Sequence, residues 1–249
     1  MEARLAWYDA RYDARYDAAH PRGGTGPRGG YAHGERVTMR SSAEWEVAAL
    51  GGARVLFVMA LGQEYGAALS ARFRPLFTGV GPIEAALETG LALASLARLP
   101  ELVVSLGSAG SRRCDLGTVR QVSAVLWRDM DASRLGFARG VTPFLDRPAV
   151  EPLPTPLSLP VATLATGSTI VGGDEYEAID AELVDMETYA VLRACQRFGV
   201  PVLGLRGVSD GPGELAGIDG WTALLEHLDA RLAEAVDELA GVLAGGWRP

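Results

Sequence analysis

Three stretches of this chain are apolar without alternation: RVLFVMAL from Arg54, ELVVSLGSAG from Glu101 and VPVLGLRGVSD from Val200. A strand with one face in water alternates apolar and polar residues. A near-continuous Val/Leu run is what a strand covered on both faces requires. Helical patterns lie between these runs. PIEAALETGLALASLARL has Pro82 in its first turn, where a missing N–H costs nothing. ETYAVLRACQRFG is closed by Gly199. WTALLEHLDARLAEAVDELAGVLAGG sets Leu225, Leu228, Leu232, Val236 and Leu239 on one helix face. QEYGAALSARF reads as a short helix, and PLFTGVG, TVRQVSAVLWRD, PVATLAT and ELVDM read as further strands. The alternation predicts a three-layer α/β domain with a mostly parallel core.

The 249 residues, 48% of them hydrophobic, suit one such domain, expected over 51–249. Residues 1–50 read differently. YDARYDARYDA is a tandem repeat and HPRGGTGPRGGYAHG is rich in Gly, Pro and Arg, a composition that buries too little apolar surface to offset ordering. They are expected to form a low-complexity, disordered tail, or an upstream stretch preceding a start at Met39; the alternative is an interaction arm.

Charge and residue usage exclude several chemistries. A net charge of −8 argues against nucleic acid as partner, because phosphate contacts need a basic face. All 23 basic residues are arginine, so Schiff-base catalysis and a Walker A loop, which need a lysine amine, are ruled out. His20, His33 and His227 lack metal-ligand spacing, so neither a metal nor another cofactor is expected. Cys114 and Cys195 read as two reduced thiols of a cytoplasmic protein. No apolar run reaches the roughly 18–20 residues of a membrane span.

Ligands of α/β folds bind beyond the carboxyl ends of the strands. Three carboxylates stand there: Glu64, Glu187 and Asp210, among glycines that let backbone approach a ligand closely. Singly, each also fits a structural role. Glu64 and Glu187 suit first-turn helix acids, and Asp210 suits a turn with Gly211 and Pro212. GVGPIE, which includes Val80, lacks the third glycine of a dinucleotide loop and fits tight strand–helix packing better. The residues alone lead to an α/β enzyme with an acidic, lysine-free pocket.

LVVSLGSAGS, VDMETYAV and VPVLGLRGVSDG together resemble the nucleoside phosphorylase superfamily and, within it, the 5'-methylthioadenosine/S-adenosylhomocysteine nucleosidases. MALGQE and RDMDASRLGF are similar to two further motifs of that family, in the same order, and the likeness runs from about Val55 to Leu239. The resemblance implies a three-layer αβα sandwich with a mixed, mostly parallel central sheet. It implies hydrolysis of the bond between adenine N9 and the ribosyl carbon, through an oxocarbenium-like transition state. Asp210 would protonate the leaving base with Ser209 holding it, and Glu64 would polarise water on the opposite face. Glu187 and Met186 would hold the ribose, with Arg206 either orienting Glu187 or forming a structural ion pair. Val80, Ser108, Ala109 and Gly110 would line the base and sugar, Ile170 and Val171 would flank the purine, and Trp221 would close the pocket. Leu135 and Pro143 match positions that reach a neighbouring subunit's 5'-alkylthio pocket, which implies a homodimer.

Three departures from the family stand out. The segment between the first helix and FTGVG is very short, Asp185 replaces a usual Glu, and Ile170 replaces a usual Phe. Phosphorylases of this fold carry an arginine where this chain has Ser105, which favours water over phosphate as the acceptor. Hydrolysis of futalosine or another 5'-modified purine nucleoside, phosphorolysis, and non-catalytic nucleoside binding are the alternatives.

Overall fold

The computed structural model describes residues 45–211, 213 and 224–249. Its strands are β1 (Val47–Leu50), β2 (Ala53–Met59), β3 (Leu76–Phe77), β4 (Leu102–Gly110), β5 (Val119–Trp127), β6 (Val150–Pro152), β7 (Val161–Thr166), β8 (Leu183–Asp185) and β9 (Val202–Asp210). The helices are α1 (Ala67–Ser70), α2 (Pro82–Ser95), α3 (Thr188–Phe198) and α4 (Leu225–Ala244). Among the described residues no helix is long and apolar enough to cross a membrane.

The apolar runs are covered on both faces, as their composition requires. Along β2, Leu56 and Val58 enter a core cluster shared with Ala85, Ala92 and Leu93 of α2 and Tyr189, Val191 and Cys195 of α3. Val55, Phe57 and Met59 alternate into a second cluster with Leu69 of α1 and Leu232, Val236 and Leu239 of α4. β4 divides the same way, with Val103 on the first face and Leu102, Val104 and Leu106 on the second. The sheet is thus the middle layer, with α2 and α3 on one side and α1 and α4 on the other. Gly199, at φ 68°, closes α3 by donating its N–H back into the last turn.

The sheet is mixed and it closes on itself. β4 pairs parallel with β9, β9 antiparallel with β5, β5 parallel with β7, and β7 parallel with β8. The ring ends where β8 returns to β4 through one antiparallel pair, Gly110 with Val184. β2 extends the sheet from β4 and carries β1 antiparallel and β3 parallel. Two short strands depart from the sequence reading. β6 pairs antiparallel with β5 inside a stretch that carries no strand pattern. β1 lies within residues 1–50, so the fold begins before the boundary expected at 51.

The short segment after β2 is compensated from the far end of the chain. α1 is four residues long, too short to stand by its own hydrogen bonds. Asp229 of α4, buried at 6% exposure, accepts hydrogen bonds from the N–H groups of Gly66 and Ala68 at 2.8 Å and of Leu69 at 3.2 Å. It acts as an N-cap supplied 163 residues away from Gly66. Gly66 makes room for it, since a Cβ there would lie 2.6 Å from the carboxylate. Asp229→Ala leaves three backbone donors without their acceptor and is expected to cost roughly 3 kcal/mol, measured by urea denaturation; Asp229→Asn, which keeps one acceptor oxygen, should cost less.

Candidate active site

Glu64 closes a 3-10 turn, Gly62–Glu64, that follows β2. It is a buried carboxylate, and its Oε1 accepts the Ser108 N–H at 2.7 Å. The partner strand can come this close because position 107 is glycine. A Cβ there would stand 3.3 Å from both carboxylate oxygens. Glu64 lines a cavity together with Thr78, Ser105, Gly107, Ser108, Glu187 and Arg206.

Glu187 joins two helix starts at this cavity. Its backbone is the N-cap of α3, and its Oε1 accepts the N–H of Gly81, the N-cap of α2, at 2.9 Å. Gly81 adopts φ 98°, which suits glycine and turns the chain sharply from β3 into α2. Burial pushes the Glu187 carboxyl up to about 7, and neighbouring Asp185 pushes the same way; the Gly81 N–H and Arg206 oppose them.

Arg206 is held by groups on β4, β8 and α3. Its Nη2 donates to Asp185 Oδ2 at 2.9 Å, to Ser105 Oγ at 2.9 Å and to Thr188 Oγ1 at 2.6 Å, and its Nε reaches Asp185 Oδ2 at 3.2 Å. Asp185 also accepts from Thr166 Oγ1 at 2.6 Å and from the Thr188 N–H at 2.9 Å. Arg206 forms an ion pair with Asp185 and acts on Glu187 through its charge. Asp185 is buried behind Glu187, at 1% side-chain exposure.

Asp210 stands at the far end of the same strand segment. A bulge in the β4–β9 pairing sets Ala109 opposite Val208 but Gly110 opposite Asp210, leaving Ser209 unopposed. Ser209 Oγ donates to Asp210 Oδ1 at 2.6 Å. Tyr176 OH donates to Oδ2 at 3.5 Å. Gly107 beside Glu64 and Gly110 beside Asp210 are three residues apart on β4, about 10 Å along a strand. Asp210 is outside the lining of the Glu64 cavity.

The other expected residues are spread around these two groups. Ser108 lines the cavity, and Ala109 and Gly110 are buried in β4. Met186 is half-buried between Asp185 and Glu187, and Val80 is exposed just before α2. In the loop after β7, Val171 is buried while Ile170 is 70% exposed. Leu135 is exposed and Pro143 half-buried in the stretch between β5 and β6. Trp221 lies outside the described residues.

Residues the sequence reading assigned no role complete the frame. Arg128 Nη1 donates to Thr169 Oγ1 at 2.9 Å, and Asp129 Oδ2 accepts the Ser168 N–H at 2.6 Å, so the end of β5 anchors the loop that carries Ile170 and Val171. Asp131 accepts the Ser133 N–H at 2.9 Å and shapes the turn at Leu135. Tyr176 carries no periodic or motif signal that distinguishes it from a core residue, and Thr188 falls within VDMETYAV without a role of its own in that motif. Among the described residues no group of three or more His, Cys, Asp or Glu side chains is placed to hold a metal ion.

A family model described as Phosphorylase superfamily matches residues 51–245. The 5'-methylthioadenosine/S-adenosylhomocysteine nucleosidase of Staphylococcus aureus (strain MRSA252) is 26% identical over 188 residues, covering 67% of this chain and 80% of that protein. Among solved structures, the adenine complex of the nucleosidase of that name from Colwellia psychrerythraea 34H aligns with a TM-score of 0.66 at 20% identity, over 78% of this chain and 97% of that one. The Neisseria meningitidis nucleosidase in complex with methylthio-immucillin-A aligns at 0.60 and 21% identity, over 77% and 98%. The futalosine hydrolase of Helicobacter pylori aligns at 0.58 and 19%, over 76% and 94%. These structural likenesses establish the fold.

The raised Glu187 carboxyl makes stability depend on pH. The folded state holds this proton more tightly than the unfolded chain does, so the contribution is fully present below about pH 4.5. It is lost as pH rises through about 7. Glu187→Gln carries no such charge. The variant is expected to be more stable than the wild type at pH 8, by roughly 2–3 kcal/mol, and to lose that advantage at pH 4. Thermal unfolding at the two pH values measures both.

Proposed function

The chain belongs to the phosphorylase superfamily, and from that membership we propose that it is a hydrolase that cleaves the N-glycosidic bond of 5'-methylthioadenosine or S-adenosylhomocysteine and releases adenine. The observation that carries this reading is the pair of carboxylates, Glu64 and Asp210, at the two ends of the Gly107–Gly110 segment.

Asp210 gives a proton to N7 of the leaving adenine while the bond from N9 to the ribosyl carbon breaks. Glu64 takes a proton from the water whose oxygen attacks that carbon from the opposite face. The products are adenine and the free 5'-substituted ribose. Inversion requires the two carboxyl groups to stand far enough apart to admit a water between one of them and the sugar. The Ser209 hydroxyl on Oδ1 orients the acid. Glu187 receives the ribose hydroxyls, Met186 packs on the sugar, Ser108, Ala109 and Gly110 line one wall with Val80 at the mouth, and Ile170 and Val171 flank the purine.

Adenine release from 5'-methylthioadenosine in phosphate-free buffer tests the reading. The wild type should turn over without phosphate, and Asp210→Asn should lose at least ~100-fold in kcat, as expected of a general acid. Turnover that appears only on adding phosphate would overturn hydrolysis. Because a futalosine hydrolase shares the fold, futalosine is assayed alongside, and a higher kcat/KM for it would reassign the 5' group.

The active form is a homodimer in this reading. Ile83, Leu87 and Leu91 recur at i, i+4 and i+8 on α2 and are 71%, 55% and 60% exposed. Such an apolar stripe is costly in water and suits a subunit contact. Leu135 and Pro143 then reach the neighbouring 5' pocket. The two free cysteines, one of them buried, suit a cytoplasmic setting. Leu87→Arg is expected to convert a dimer to a monomer in analytical ultracentrifugation; a wild type that sediments as a monomer would remove the dimer from the proposal.

A further inference from the structure

Tyr176 is a buried phenol in the wrong place for a simple core residue. It sits on the 3-10 turn Gly173–Ala178, 3% exposed, with its ring packed among Ala165, Val171, Ala181 and Val184. A phenol in such a cluster needs a partner for its hydroxyl. Among the described residues that partner is Asp210 Oδ2, at 3.5 Å. Gly110 makes the approach possible, because a Cβ there would overlap the Tyr176 hydroxyl and lie 2.7 Å from Asp210 Oδ2. The point where the sheet closes, Gly110 with Val184, is thus also the point where a tyrosine from a third segment meets the carboxylate.

We infer that Tyr176 is a positioning residue for Asp210: its hydroxyl holds the Oδ2 oxygen while Ser209 holds Oδ1, so that the carboxyl is fixed from both sides as it gives up its proton. This rests on the reading of Asp210 as the general acid. Burial, and after it Asp210 itself, push the Tyr176 phenol well above its ordinary range, so it remains a neutral hydrogen-bond donor. Negative charge grows on Asp210 as the proton leaves for the base. A donor aimed at that oxygen strengthens in the transition state more than in the bound ground state. Its loss is therefore read in kcat, not in KM. A purely structural Tyr176 would need only its ring.

Tyr176→Phe keeps the ring and removes the hydroxyl. The expected result with 5'-methylthioadenosine is a fall in kcat of about 10-fold, the scale of one hydrogen bond to a developing charge. KM should stay within about two-fold. In an Asp210→Asn background the same substitution should cause no further loss. Unchanged kcat, or an equal loss in the Asp210→Asn background, would overturn the proposal. If the wild type releases adenine from neither 5'-methylthioadenosine nor S-adenosylhomocysteine, it is the functional reading that fails. The contact is then read from melting temperatures of the wild type, both single variants and the double variant: non-additive effects support it, and additive effects overturn it.

Discussion

The Arg206–Asp185 pair is the contact around which the site is arranged. Both side chains are almost wholly buried, at 3% and 1% exposure. Removing two charges from water costs several kcal/mol each, and their attraction offsets this only when the remaining donors and acceptors are satisfied. They are satisfied here by groups from five elements. β9 supplies Arg206, β8 Asp185, β4 Ser105, β7 Thr166 and the first turn of α3 Thr188. The register of these elements is therefore fixed together, since any slip would leave a buried charge without its partner. Glu187 follows two residues after Asp185 and inherits its position from the pair. It also inherits the cost, because Asp185 is the neighbouring charge that most raises its carboxyl.

The second constraint is the irregularity in β9. Along a regular strand, side chains alternate, and a shift of one residue turns every later one to the other face. The bulge at Ser209 uses this rule at the last position of the strand. Arg206 can then serve the interior while Asp210 meets Gly110 and receives hydroxyls from Ser209 and Tyr176. One strand thus carries a structural cation and a candidate acid four residues apart, with different surroundings for each.

Much of this was legible in the sequence, and the limits have physical causes. β2, β4 and β9 were readable because burial on both faces demands an uninterrupted apolar run. The carboxylates were readable because a charge directly after such a run has no place in the core. β1 and β6 were not, since strands of four and three residues with one exposed edge have few positions in which to show a pattern. Asp229 looks like any polar residue of an amphipathic helix; its role as a cap exists only once α4 lies against α1. Tyr176 is invisible for the same reason, because its hydroxyl meets a carboxylate 34 residues on. Ring closure through a single pair at Gly110 leaves no sequence period at all.

The buried pair also bears on the choice between water and phosphate as the acceptor. A phosphate dianion needs cations that are free to meet it. Arg206 is the one arginine among the described residues lining the Glu64 cavity, and its charge is already matched by Asp185. Ser105, where phosphorylases of the fold carry arginine, donates nothing comparable and instead accepts a hydrogen bond from Arg206. What remains at the cavity is the Glu64 carboxylate, which repels an anion, and Glu187, which offers an anion no positive charge in either protonation state. A neutral water is the nucleophile such a lining favours, and a carboxylate fixed by a backbone N–H is a group suited to take its proton. The absence of an uncompensated cation among the described residues of the cavity and the presence of Glu64 thus point the same way, although they arise from different strands: the first from the demands of a buried ion pair on β9, the second from a turn at the end of β2.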